Sequence, residues 1–312
     1  MPEVCEVTLT ALFLKNKISN YTLHKIEILN GKYSRKPLKG LDEFNDELPM
    51  TIYDIDSKGK QMWFVMKKGD KIRYVMSHFG MDGRWGFETH PHANIAWLLK
   101  DNDGNSIPFY FIDHRNFGSV EFISNKIDFN TKINSLGPDF LKTEFDAADL
   151  KKRIHMLTYK NDTLVKRKGD KNIVKVLMEG QKAHEGIGSG LGNYLTAEIL
   201  YEAKISPLKT INEIYKDDAL IKNLTNAIKL VIKQSYLTNI TGYMEHIKDY
   251  VKDIRNKVKS GVAPNYHKDV DIGDSVFSYK VYRKKLDPNG NKVETVEILK
   301  NRNMYWVPDV QL

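Results

Sequence analysis

Over roughly the first 140 residues, apolar positions come in short runs separated by turn residues, and beyond that they recur at helical spacing. Val7, Leu9, Leu12 and Phe13 predict a helix over Val4 to Leu14. The stretch MWFVMKKGDKIRYVMSHFGM holds two apolar runs around Lys68-Gly69-Asp70, a hairpin signal. IAWLLKDNDGNSIPFYFID repeats the pattern with Asp103-Gly104 at its turn. Short strands joined by such turns predict a sandwich or a barrel.

The style changes at Gly137-Pro138, and Asp146 or Asp149 is placed to cap the next helix. Periodicity is helical from about residue 146 to 259, with a stripe at Leu220, Leu224, Ile228 and Val231. IVKVLMEGQKAH also reads as helix. SGVAPNYHKDVDIGDS interrupts as a linker, and two strand-like runs then flank Asp287-Pro288-Asn289-Gly290, a further hairpin signal. The expected organisation is a β-rich unit over 1–142, a helical unit over 143–270 and a terminal hairpin over 271–312.

Composition narrows the chemistry. Cys5 is the only cysteine, which excludes internal disulfides and any cysteine-based zinc site and points to a reducing, intracellular setting. No apolar run approaches a membrane span, and the start lacks the basic and greasy regions of a secretion signal. Net charge is +8. Such an excess favours polyanions, because each phosphate neutralised releases condensed counterions. Only nine of the 48 basic residues are arginine, so a lysine-rich proteome accounts for part of that excess.

Several short stretches carry candidate chemistry. Gly186, Gly188, Gly190 and Gly192 precede Asn193 and a helical pattern, an arrangement that presents helix N-terminal amides to phosphate. The dinucleotide fingerprint fails here for want of its third glycine and a preceding strand, and the helix–glycine turn–helix order equally describes a tight helical hairpin with no ligand. Gly80 and Gly83 form a tight loop presenting Met81, while Arg115 and Phe117 alternate beside Gly118. A Met, an Arg and a Phe on loop tips suit a wedge that fills the hole left by an extruded base. His78, His90, His92 and His114 have no third metal ligand at useful spacing and read as structural or solvent-facing. At the start, Pro2 exposed by methionine removal is a secondary amine able to attack a sugar carbon, with Glu3 or Glu6 supplying protons and Lys60 a further amine or phosphate clamp.

Taken in order, PEVCE, GKQMWF, HFGMDGRW, DHRNFG, GLGNYLTAEILYEAKISP and the final hairpin resemble the Fpg/Nei family of bifunctional DNA glycosylases. The resemblance implies an α+β multidomain fold: an N-terminal two-layer β-sandwich with flanking helices, then a helical domain with a helix–two-turns–helix motif. It implies Pro2 as nucleophile, Glu3 as the assisting acid, Glu6 as a second acidic position and Lys60 as a phosphate contact near the lesion. Met81, Arg115 and Phe117 match the void-filling triad, and Asn193 with Gly192 the phosphate-binding turn. With no cysteine after Cys5, the terminal hairpin resembles the zincless finger of endonuclease VIII-like members, with Arg302 reaching a phosphate at the lesion.

No metal or organic cofactor is implied. The implied partner is damaged DNA, duplex and also single-stranded, met by a monomer in the nucleus, the cytoplasm or a viral factory. Zincless relatives lean toward oxidised pyrimidines, formamidopyrimidines and hydantoins. The alternatives are a preference for oxidised purines and a binder that keeps the fold without the chemistry. Two departures stand out: Cys5 where relatives carry proline, and Asn116 where an arginine is common.

Overall fold

The computed structural model describes residues 1–179, 185–240 and 242–312, and its residues form two compact units. The first takes in residues 1–2, 6–134 and 245–247. It contains α1 (Val4–Ile18, from its third residue onward), β1 (Thr22–Ile28), α2 (Leu41–Asn45), β2 (Met50–Lys58), β3 (Gln61–Lys68), β4 (Lys71–His78), β5 (Arg84–Gly86), β6 (Ala93–Lys100), β7 (Ser106–Ile112), β8 (Ser119–Ile123) and α3 (Lys126–Asn134). Both expected hairpins form, β3–β4 around Gly69-Asp70 and β6–β7 around Asp103-Gly104.

The strands make one sheet in the order β5-β7-β6-β1-β2-β3-β4-β8, all neighbours antiparallel. Of the two β architectures open from the sequence, the sheet resolves to a sandwich, and β1 shows why. β1 pairs with β6 along its whole length but with β2 only at Thr22 and Leu23, and its register shifts between Leu23 and Lys25. A bulge there bends the sheet, so its two halves fold face to face. Phe64 of β3 then lies 5.0 Å from Trp97 of β6 and 5.3 Å from Trp85 of β5, ring centre to ring centre. Ser77 of β4 accepts the buried Trp85 indole N–H at 3.0 Å, so the one polar atom of that ring is satisfied across the layers. On the outer face α3 stacks Phe129 on Tyr74 at 4.0 Å, covering β3 and β4.

The second unit takes in residues 3–5, 135–244 and 248–312. Its elements are α4 (Ala147–Thr158), β9 (Tyr159–Lys160), β10 (Thr163–Leu164), α5 (Lys166–Gly169), α6 (Ile173–Met178), α7 (Asn193–Glu202), α8 (Ile211–Lys216), α9 (Asp218–Thr238), α10 (Lys248–Lys252), α11 (Ile254–Lys259), β11 (Glu294–Leu299) and β12 (Arg302–Trp306). Asp146 caps α4 by a reciprocal pair with Asp149, so both candidate caps take part. In α9 the inward stripe runs through Leu224, Ile228 and Val231, while Leu220 is only half-buried and Ile221 takes the inner place. The helical run expected beyond Met178 reaches residues 180–184, which lie outside the described residues.

The terminal hairpin differs from expectation. Its strands are β11 and β12, turning at Lys300-Asn301, and the run before Asp287 is not a strand. Asp287 explains the difference. Its Oδ1 accepts the N–H groups of Asn289 and Asn291, closing a side-chain turn that supports only an isolated bridge between Leu286 and Lys292. The preceding backbone finds its partner in a side chain instead. Buried Glu198 of α7 accepts the N–H groups of Lys280, Val281 and Tyr282 at 2.9, 3.1 and 2.8 Å. Tyr201, one turn on, donates to Asp287 at 2.9 Å, and Lys280 pairs with Glu202 at 2.5 Å. The finger is thereby fastened to one face of α7.

Replacing Glu198 with Ala leaves three amides unpaired, that of Val281 buried and those of Lys280 and Tyr282 half-buried, and should lower unfolding stability by about 3 kcal/mol. Urea unfolding checks the size, and limited proteolysis should cut first between residues 276 and 306. A loss below about 1 kcal/mol would mean that the finger is held mainly by its apolar contacts.

Candidate nucleic-acid interface

Register gathers one set of expected residues at one end of the sandwich. The β2–β3 turn carries half-buried Lys60 beside Gly59, and Gln61 pairs with His78 at the end of β4. His78 in turn pairs with Ser119 at the start of β8. The Lys60 turn, the loop 79–83 and the loop 113–118 therefore leave the same edge. Burial pushes the pKa of His78 down, and the charges of Lys60 and Lys32 add to the effect. His78 is thus a neutral acceptor, and its Nδ1 takes the Gly80 N–H at 3.1 Å.

The two loops touch backbone to backbone. Gly80 has φ +61°, and a Cβ there would lie 2.5 Å from the Phe117 carbonyl carbon and the Gly118 nitrogen. Only glycine permits that approach. Met81 and Phe117 stand 37% and 60% exposed, and the Arg115 guanidinium lies 5.7 Å from the Phe117 ring centre. Two large apolar side chains, of kinds usually buried, are thus held out beside a cation on a stiff base. Asn116 adopts φ 57°, and its Oδ1 accepts the Lys32 N–H at 3.0 Å. Asn116 therefore sets the loop's shape.

Glu6 also belongs to this unit, buried in the first turn of α1 where a negative charge faces the helix N-terminus. Thr8, half a turn on, meets Ser57 near the end of β2 at 3.1 Å. Pro2 is buried in the same unit, whereas residues 3–5 belong to the other.

Those three residues are each tied into the helical unit. Glu3, 1% exposed, accepts the Gly192 N–H on Oε2 and the Tyr194 N–H on Oε1 at 3.0 Å. The Val4 N–H donates to the Gly190 carbonyl at 3.0 Å, and the Cys5 thiol to the Ile232 carbonyl at 3.4 Å. Gly190 has φ +110°, and a Cβ on it would lie 2.5 Å from that of Val4. The glycine turn is open because the N-terminal segment occupies the space.

This corrects the expectation for Gly192. Its amide does not face outward toward a phosphate but is engaged by Glu3, because an internal carboxylate satisfies the helix N-terminus as an external anion would. Asn193, the next residue, sends its Nδ2 to the Asn303 carbonyl at 3.0 Å. Asn303 adjoins Arg302, which is exposed and opens β12 beside the Lys300-Asn301 turn. Glu3, Gly192, Asn193 and Arg302 thus share the frame of α7.

The residues that sequence reasoning missed are Glu198, Tyr201 and Asp287, which mount the finger. For Glu198 and Tyr201 the signal was a carboxylate and a phenol three residues apart, and so on one face, flanking Ile199 and Leu200. Among the described residues, no group of three or more His, Cys, Asp or Glu is arranged to hold a metal ion, and no helix is long and apolar enough to cross a membrane.

Comparison with known proteins gives a consistent picture. Residues 1–120 match the formamidopyrimidine-DNA glycosylase N-terminal domain, and residues 268–312 its C-terminal domain. The formamidopyrimidine-DNA glycosylase of Prochlorococcus marinus (strain MIT 9301) is 26% identical over the whole of both chains. That of Lactococcus lactis subsp. cremoris is 30% identical over 74% of this chain and 79% of its own. The crystal structure of Lactococcus lactis Fpg with an abasic site containing DNA shares the fold, with a TM-score of 0.72 at 21% identity over 99% of each chain.

Gly190→Ala combines a strained φ with a clash against Val4 and should lower stability by about 2–4 kcal/mol. Thermal unfolding reads the loss. Restoring most of it with a second change, Val4→Gly, would confirm that the contact with Val4 is its source, whereas no recovery would assign the loss to backbone strain alone.

Proposed function

The chain belongs to the formamidopyrimidine-DNA glycosylase family, and from that premise we propose that it is a DNA glycosylase with associated abasic-site lyase activity. Its substrates are oxidised bases in DNA: formamidopyrimidines, oxidised pyrimidines and hydantoins. The observation that carries the reading is the anchoring of Glu3, the residue that follows Pro2 in the chain, at the start of α7. A carboxylate so buried and so firmly held, next to a secondary amine, is a device for acid–base work rather than a chain end.

The damaged nucleotide is drawn out of the duplex, and Met81, Arg115 and Phe117 fill the gap. Lys60, Asn193 and Arg302 grip the flanking phosphates, with Arg302 suited to a bidentate contact. Pro2, freed of Met1, attacks C1′ as Glu3 delivers a proton to the sugar ring oxygen. Each Glu3 oxygen accepts an amide N–H, which fixes the orientation of the carboxyl group for this transfer. The Pro2 nitrogen sheds its own proton and the departing base takes one up, so the freed nitrogen lone pair closes the iminium as the C1′–base bond breaks. Loss of the C2′ proton then expels the 3′ phosphate, and a second elimination expels the 5′ phosphate. Glu6, buried in the first turn of α1, is the second acidic group available to these transfers.

The finger works without metal in this reading. The chain has no cysteine after Cys5, and Glu198 gathers three consecutive finger amides as a bound ion would gather ligands. The protein acts as a monomer in an intracellular compartment, nucleus or cytoplasm, where buried Cys5 stays a thiol.

Borohydride trapping on duplexes carrying formamidopyrimidine, thymine glycol, hydantoin, 8-oxoguanine or a plain abasic site tests the chemistry. A covalent complex is expected with the abasic site and with the first three lesions; no complex on any duplex would leave only a DNA-binding protein. Glu3→Gln should suppress base release at least about tenfold while sparing most lyase activity on a preformed abasic site. Equal loss of both would remove Glu3 from the acid's role. Arg302→Ala should lower trapping roughly tenfold while changing stability by less than about 0.5 kcal/mol, and a large stability loss would make Arg302 structural instead.

A further inference from the structure

Below the exposed Met81, Arg115 and Phe117 lies a pair of carboxyl groups that the reaction does not use. Asp113 is 2% exposed, and its Oδ2 accepts the Gly118 N–H at 2.6 Å, closing the loop that carries Arg115 and Phe117. Its backbone N–H reaches the His92 carbonyl at 3.1 Å. Asp82 is the residue after Met81; its carboxyl is near enough to raise the pKa of Asp113, and its Oδ2 stands 4.0 Å from Nδ1 of His114, the residue after Asp113. One oxygen of each group, Oδ1 in both cases, is buried with no N–H or O–H donor directed at it among the described residues. Two ionised carboxylates so placed repel, because Asp113 is buried and neither Oδ1 meets a donor that would offset the charge. A proton between them resolves both the repulsion and the missing donor.

We propose that Asp82 and Asp113 share one proton, and that this hydrogen bond clamps the Met81 loop to the Arg115–Phe117 loop in the arrangement that enters the duplex. Both are positioning residues, acting through the three side chains that fill the void. The proposal rests on the glycosylase reading for its consequence, although the shared proton itself does not.

The surroundings agree with a proton held above the ordinary carboxyl range. Burial pushes the Asp113 pKa up, the nearby Asp82 pushes it further, and the Gly118 N–H pulls it back. The side chains of Lys32 and His114 face the pair. The Lys32 ammonium bonds the Gly118 carbonyl, and burial depresses its own pKa while Asp113 supports its charge. The His114 Nδ1 stands 4.0 Å from Asp82 Oδ2, with the His92 ring packed against it at 4.2 Å. His78, on the adjoining strand end, is held neutral by burial.

The raised pKa sets the sign of the pH dependence. The clamp is fully present at low pH and is lost as pH rises through the folded-state value, when the second proton leaves and the carboxylates repel. Asp82→Asn supplies a donor that never ionises, so it keeps the clamp at every pH. His114→Asn removes the nearest imidazole and leaves the shared proton in place.

Melting temperature and borohydride trapping are to be followed for wild type, Asp82→Asn and His114→Asn from about pH 5 to about pH 9. The melting temperature of wild type should fall relative to Asp82→Asn as pH rises. On a lesion duplex the trapping rate of Asp82→Asn over wild type should rise roughly tenfold across the range, the effect of about one pKa unit of coupling. On a single-stranded abasic oligonucleotide, where there is no void to fill, the ratio should stay near unity. His114→Asn should behave as wild type does. Parallel melting curves for wild type and Asp82→Asn overturn the shared proton, and a pH dependence that vanishes in His114→Asn assigns it to the imidazole instead. An equal ratio on both substrates removes the pair from positioning. If wild type traps nothing at any pH, the glycosylase reading fails while the melting curves still decide the proton.

Discussion

The carboxylate of Glu3 accepts the N–H groups of Gly192 and Tyr194, and much of the second unit is organised around the helix that these amides begin. The first turn of a helix has unpaired donors and a partial positive charge, so a buried carboxylate there is both satisfied and stabilised. The pairing spans 189 positions of chain and takes the N-terminal segment out of solvent. Val4 and Cys5 extend it with one bond each, and Gly190 leaves the room that Val4 fills. An anion site that a bare glycine-turn pattern offers to a ligand is here filled from within.

The same helix carries the finger. Glu198 and Tyr201 project from one face of α7 to the backbone of Lys280–Tyr282 and to Asp287, and Asn193 reaches the carbonyl of Asn303. The proposed acid and the arginine next to Asn303 are therefore referred to one rigid element about 15 Å long. Geometry held this way does not depend on a loop keeping its shape.

In the first unit, register brings the proposed contact residues to strand ends. The bend at β1 closes the sandwich over Phe64, Trp85 and Trp97, and the rigid sheet then delivers the Lys60 turn and the loops of Met81 and Phe117 to one edge. Loops so close that a single Cβ at Gly80 would separate them can hold exposed apolar side chains without collapsing inward. Rigid scaffolds carrying loop-borne contacts are the common solution when a wedge must enter a stacked duplex.

The sequence by itself determined the local elements and the candidate chemistry. The two hairpins at Gly69-Asp70 and Asp103-Gly104, the helix starting at Val4, the cap at Asp146 and the order of motifs from Pro2 to Arg302 were all legible, because period, turn residues and spacing are local properties. Three things were decided only by the tertiary structure. The sheet closed as a sandwich because of a bulge in β1, a feature without a sequence signature of its own. The terminal hairpin moved from Asn289-Gly290 to Lys300-Asn301 because Asp287 used its carboxylate on nearby amides and Glu198 captured the preceding backbone. The amide of Gly192 was engaged by Glu3. Apart from the local turn at Asp287, these outcomes turn on which donor meets which acceptor across a long separation in the chain. Such pairings arise from packing and burial, so a one-dimensional pattern does not contain them.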